Sequence, residues 1–145
     1  RRLRLSAVLI EQTASLIEQH MSFMNVEQMR RARLRQFLGQ PHFDQHLALH
    51  MADCLGSHGQ LDNYEFCQAR LAEFASDDAR QALLPAPLLG GHDLIALGLR
   101  PGPLFKQLLE QAREEQLEGH LETRQQALDW VRAQASPPLQ EQPHA

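Results

Sequence analysis

Three histidines, His42, His46 and His50, stand four residues apart, and Asp53 follows three residues after the last of them. On a helix this spacing lines up imidazoles and a carboxylate along one face, which is how helices present ligands to a metal ion. The chemistry on offer is divalent-metal binding and, with it, phosphoester hydrolysis. A rise of roughly 1.5 Å per residue spreads the three histidines over more than ~10 Å, so only neighbours such as His50 and Asp53 can share one ion. His20 is the candidate third ligand, provided that its helix packs antiparallel to theirs; His20, His50 and Asp53 would then share a pocket. A complete site needs three or four convergent ligands. His50 also falls on an apolar stripe, where a core histidine bonded to a backbone carbonyl is the plainer reading.

A second possible chemistry is anion recognition. Arg30, Arg31, Arg33 and Arg35 place four guanidiniums within six residues and cover most of a helix circumference. A solvated face accounts for most such charge runs; the alternative is contact with backbone phosphates, which arginine matches with a planar fork. Arg100, Lys106 and Arg113 flank a helix start predicted at Pro103, where outward-pointing N–H groups favour an anion, although a structural joint would look the same. Other pairings offer less. Ser57 and His58 are adjacent and have no oxyanion glycines around them. Asp93, after His92, reads as a helix cap or first-turn anion, and Asp77 and Asp78 as a loop or cap pair. Neither a phosphate-binding glycine loop nor a dinucleotide fingerprint is present.

The elements that must position these groups are helices. Strand-type alternation is almost absent, and the apolar periodicity predicts an all-α, multi-helix bundle of about seven helices in two packed subdomains, without a sheet. Ser6 caps a helix over about Ala7 to Met24 whose inward stripe is Leu9, Thr13, Leu16, Ile17, His20, Met21 and Met24. Asn25 and Gln28 resemble a capping box for a second helix to Leu38, packing Met29, Leu34, Phe37 and Leu38 and exposing Arg30, Arg31 and Arg35. Gly39 ends that helix, and Pro41 starts a third, to about Leu55, with Phe43, Leu47, His50, Met51, Cys54 and Leu55 inward. A fourth runs from about Asn63 to Phe74. Residues 76–91, with two prolines and two glycines, read as a linker.

Beyond it, a short helix over about Asp93 to Leu97 stops at Gly98, which can turn left-handed, with Leu99 packing back on the last turn. Pro103 opens a helix to about Leu117 bearing Leu104, Phe105, Leu108, Leu109, Ala112 and Gln116. Gly119 ends it, and Thr123 with Gln126 forms a capping box for a last helix carrying Ala127, Trp130 and Val131. The expected organisation is 1–75, a linker at 76–91, a second helical domain at 92–134 and a flexible tail at 135–145.

The chain has 145 residues, a net charge of −4 and 43% hydrophobic residues, with a mean hydropathy of −0.42. Such a chain can bury a real core. It holds no apolar run of membrane-spanning length, and its overall charge does not attract nucleic acid, so any such contact must be local. Cys54 and Cys67 lack a metal-type spacing and read as buried reduced thiols of a cytoplasmic protein. The opening at Arg1 without a methionine reads as a cut, and a longer parent protein is expected.

The run from Leu94 to Pro103, then Phe105, Gln116 to Gly119, Thr123-Arg124 and Ala127 to Val131, resembles the C-terminal domain of bacterial tRNA nucleotidyltransferases, the CCA-adding and poly(A) polymerase family. Upstream, Glu18 to Met21, Met29 to Arg31, Leu34 to Leu38, and His50 to Gly59 followed by Asn63-Tyr64 are similar to the later part of the HD-type helical region of that family. The resemblance implies that an N-terminal nucleotidyltransferase head, absent here, holds nucleotide triphosphate and Mg2+, and that the helical regions hold the tRNA. It identifies His20 and Asp53 with the remaining HD-pattern positions. The first His and the His-Asp pair of that pattern would lie upstream, so catalysis by this chain alone is not expected. The resulting expectation is a tRNA-binding and positioning portion that contacts phosphates through Arg30, Arg31, Arg33, Arg35, Arg100 and Lys106, with no membrane partner and a homodimer as an option. The alternatives are a divergent HD phosphohydrolase using His20, His50 and Asp53, and a structural interaction domain.

Overall fold

The computed structural model describes residues 6–75 and 82–135. Among these residues every regular element is helical: α1 (Ala7–Gln19), a 3-10 helix (His20–Gln28), α2 (Arg31–Leu38), α3 (Phe43–Ser57), α4 (Asp62–Phe74), α5 (Gly91–Ala96), α6 (Pro103–Glu118) and α7 (Arg124–Ala135). The fold is all-α, as the periodicity predicts. Contacts divide the chain into two compact units between Leu84 and Pro85. Asp77, Asp78, part of the expected linker and almost all of the expected tail lie outside the described residues.

In the first unit the Ser6 hydroxyl accepts from the Leu9 N–H at 3.2 Å and starts α1 as expected. The stripe expected inward on this helix is not buried. Ile17, Met21 and Met24 are 62%, 55% and 64% exposed. The helix does not run on to Met24 but tightens after Gln19 into the 3-10 stretch, interrupted at Asn25. A 3-10 helix aligns residues three apart, so Phe23 and Val26 become fully buried, and Met29 packs against the same core. The capping box expected at Asn25 and Gln28 therefore has no helix to cap. Instead α2 begins at Arg31 with Arg30 as its N-cap.

The core of this unit is an aromatic cluster. Phe23 meets the edge of Phe37 with ring centres 5.0 Å apart and stacks on Phe43 at 5.9 Å, while Phe37 and Phe43 meet at 5.3 Å. Such pairs contribute about 0.5–1.5 kcal/mol each beyond area burial. Helix α3 starts at Phe43, two residues later than Pro41, and its N-cap His42 adopts a left-handed φ of 58°. Its buried residues are Phe43, His46, Leu47 and Cys54; Leu55 is 60% exposed. Cys67 of α4 is fully buried. Both cysteines are free, and burial pushes the Cys67 thiol up to about 12.

In the second unit α5, α6 and α7 enclose Leu94, Leu108, Ala112, Leu121, Ala127 and Val131. The Gly90 N–H donates to Asp93 Oδ2 at 2.7 Å and caps α5. This bond first, and the Arg124 guanidinium second, hold the Asp93 carboxyl below its ordinary pKa. Gly98 turns left-handed at φ 85°. Its N–H donates to Ile95 O at 2.9 Å and that of Leu99 to Leu94 O at 3.1 Å, closing the helix in a Schellman motif. Pro103 opens α6, Gly119 (φ 94°) ends it, and Thr123 and Gln126 bond reciprocally at 3.2 and 3.1 Å to start α7. Leu104 departs from the expected stripe and is 53% exposed.

Candidate nucleic-acid interface

The arginine run is split by burial. Arg31 and Arg33 lie in the first turn of α2, Arg30 is its N-cap, and all three are exposed. No acidic residue occupies that turn and no side chain caps it. A helix N-terminus already carries partial positive charge from its unpaired N–H groups. Arginines there reinforce rather than neutralise that field, a local cost that makes the end attractive to an anion. Among the described residues, neither Arg31 nor Arg33 has an ion-pair partner.

Arg35, which the periodicity predicts on the exposed face, is 2% exposed. Its Nε donates to Leu83 O at 2.9 Å and Nη2 donates to Ala82 O, while the guanidinium lies 5.0 Å from the centre of the Phe74 ring. One turn beyond Arg31 the helix face points into the core, so this cation holds the chain near Ala82 and cannot meet phosphate.

The second basic set divides likewise. Arg100 and Lys106 are exposed around the start of α6, whose N-cap Gly102 provides no side chain and whose first turn has no acid. Among the described residues Lys106 pairs with Glu110, at 3.6 Å across an exposed face, a pairing worth little in water. Arg113 is half-buried and donates to Gln116 Oε1 at 2.8 Å; burial lowers its pKa.

The histidines follow a different rule. His20, His50 and Asp53 do line one pocket with Ile17 and Leu49, about 200 Å³ in volume. They do not form a metal site: among the described residues no three His, Cys, Asp or Glu side chains are grouped to hold an ion. His20 Nδ1 is engaged with Ile17 O in the last turn of α1. The His50 ring stacks flat on Phe23, with centres 4.3 Å apart and planes at 6°, and sits 3.6 Å from Cys54 Sγ. Burial lowers the His50 pKa, against the opposing pull of Asp53. The Ser57 hydroxyl donates to Asp53 O at 2.8 Å, and His58 Nδ1 accepts from the Gln60 N–H at 3.0 Å, so neither is poised as nucleophile or base.

One cavity went unmarked in the sequence. It lies between α1 and the start of α3, measures about 420 Å³, and is lined by Gln12, Gln40, His42, Gln45 and His46 among others. His46 is 4% exposed and was not expected inward. Burial first, then the neighbouring His42, lower its pKa, while Asp44 opposes them. Its Nδ1 and the Gln40 Nε2 are buried and have no hydrogen-bond partner among the described residues. Glutamines have no spacing rule, so only His42 and His46 were visible in advance.

No protein-family model matches the chain, and no solved structure matches it. A stretch of 46 residues, 32% of the chain, is 52% identical to an A-adding tRNA nucleotidyltransferase of Halalkalibacterium halodurans and spans 11% of that protein's length.

Proposed function

We infer that this chain is a tRNA-binding and positioning portion of a tRNA nucleotidyltransferase, one that grips backbone phosphates at helix N-termini. The observation that carries this reading is the start of α2, where Arg30, Arg31 and Arg33 are exposed on a turn without an acid or a side-chain cap. The start of α6, with Arg100 and Lys106, has the same chemistry in the second unit. The partial likeness to an A-adding tRNA nucleotidyltransferase supports tRNA as the polyanion. Nucleotide triphosphate and Mg2+ belong, on this reading, to a head domain elsewhere in the parent protein. No described helix is long and apolar enough to cross a membrane.

The test is tRNA binding followed by fluorescence anisotropy between about 50 and 200 mM salt, where each phosphate contact contributes roughly 0.7–0.9 to the log–log slope. Changing Arg30, Arg31 and Arg33 together to alanine is expected to flatten that slope by about 2 and to weaken binding for all tRNA sequences alike. Salt-independent binding, or an unchanged slope in the triple variant, would sink the reading.

A further inference from the structure

We propose that the cavity between α1 and the start of α3 is a subsite for an unpaired nucleobase of a bound RNA strand. Its volume, about 420 Å³, lies within the range of small-ligand pockets. Its lining provides what a flat heterocycle needs: Val8, Leu16 and Pro41 as apolar wall, and side-chain amides from Gln12, Gln40 and Gln45 for a base edge. Glutamine and histidine read base edges because they offer donors and acceptors in one plane. Two of the lining residues are chemically unfinished. Gln40 Nε2 and His46 Nδ1 are buried without a partner among the described residues, and His46 is 4% exposed. A buried polar atom left unpaired is unfavourable. A ligand edge that completes such atoms binds with that deficit removed.

The lining also excludes other ligands. It holds no Lys or Arg and does include Glu11, so a phosphate or carboxylate would be repelled rather than held. The pocket residues contribute no group of three metal ligands. A neutral, planar, hydrogen-bonding ring remains. Its source follows from position along one helix. Arg30, Arg31 and Arg33 stand at the start of α2, and the pocket residues Gln40, Pro41 and His42 follow its end. The eight residues of α2 set these two ends about 12 Å apart along the axis. A single strand whose phosphates meet the arginines can thus reach the pocket with a base a few nucleotides away. Unpaired bases splayed from a strand are the usual targets of sequence-specific RNA recognition. The choice of RNA as source rests on the phosphate-binding reading above, whereas the pocket chemistry does not.

The experiment uses the full chain and two probes. Neutral nucleosides (adenosine, cytidine, guanosine, uridine) are titrated while the ring signals of His42 and His46 are followed by NMR; a single-stranded RNA hexamer and the same hexamer with abasic positions are compared by anisotropy. At least one nucleoside is expected to shift both rings saturably, with binding at least fivefold weaker in Gln40→Leu and in Gln12→Leu, of which the latter replaces a half-buried residue and should leave the fold intact. The hexamer is expected to bind more tightly than the nucleoside and to lose at least fivefold when abasic. No nucleoside-dependent shift up to millimolar concentration overturns the pocket, as does binding that both variants leave unchanged. Nucleoside binding with no preference for the hexamer overturns the RNA source. If the triple arginine variant weakens tRNA binding but the pocket is silent, the phosphate reading stands and this proposal fails alone.

Discussion

Each unit of the molecule has a helix that buries a polar side chain against the backbone of an irregular stretch, α2 in the first and α6 in the second, and the two do it with opposite chemistry. In the first unit Arg35 of α2 donates to the carbonyls of Ala82 and Leu83. In the second, Gln116 of α6 donates to Ala86 O at 2.8 Å and accepts from the Leu88 N–H at 3.2 Å. The guanidinium has donors only, so it can gather carbonyls but satisfies no N–H. The amide serves one of each, and Arg113 fills the remaining lone pair of its oxygen. A cation binds more strongly and is harder to replace; an amide is weaker but more complete. Burial of an arginine thus marks a stretch held by carbonyls, and burial of a glutamine marks one held in register.

The comparison is broken most directly at its stronger member. Arg35→Met should destabilise the first unit by about 3 kcal/mol, because the charge-assisted bonds to Ala82 and Leu83 are lost and half-buried carbonyls are left behind. Urea unfolding should show this in the far-ultraviolet signal, while the single Trp130, half-buried against the core of the second unit, keeps its midpoint. A Trp130 midpoint that moves equally would mean that the units do not unfold separately. Gln116→Leu should do the reverse at smaller scale, moving the Trp130 transition by about 1–2 kcal/mol.

Acid sharpens the same contrast with the smallest effect. The folded pKa values of His46 and His50 are depressed from an ordinary 6.5. The unfolded chain therefore takes up protons first on acidification. The stability they contribute is present above 6.5 and is lost as pH falls through their folded values. In the second unit Asp93 is depressed from 3.8, so its contribution is fully present above that pH and is lost only as pH falls from there through its folded value. Between about pH 7 and 5 the first unit should weaken while the Trp130 transition holds, and His46→Gln should reduce the acid sensitivity. Equal loss in both units would remove this distinction.

How much could be read from the chain also differs between the units. Gly98, Pro103, Gly119 and the Thr123–Gln126 pair set helix ends by local sterics and capping, and each acts where its type predicts. Such signals need no tertiary partner. In the first unit, by contrast, the course of the chain after Gln19 is decided by Phe23 reaching Phe37, Phe43 and His50. A continuous α-helix fits the same letters equally well, so periodicity alone places the apolar stripe on residues that the fold leaves exposed. The arginine run shows the same limit. Charge marks all four residues alike, and only packing against Phe74 and the Ala82–Leu83 carbonyls removes Arg35 from the surface. The pocket residues His20, His50 and Asp53 did fall together, but stacking and backbone bonding had already used the imidazoles.

The deep burial of sulfur has a practical outcome. Reaction with maleimides and oxidants goes through the thiolate, and a thiol pushed up to about 12 like that of Cys67 hardly forms one near neutrality. Cys54 is 3% exposed and equally sheltered from bulky reagents. A cysteine introduced on the surface of each unit would therefore take up dye selectively without first stripping the natural ones, and energy transfer between the two labels would report whether added tRNA changes the distance between the units.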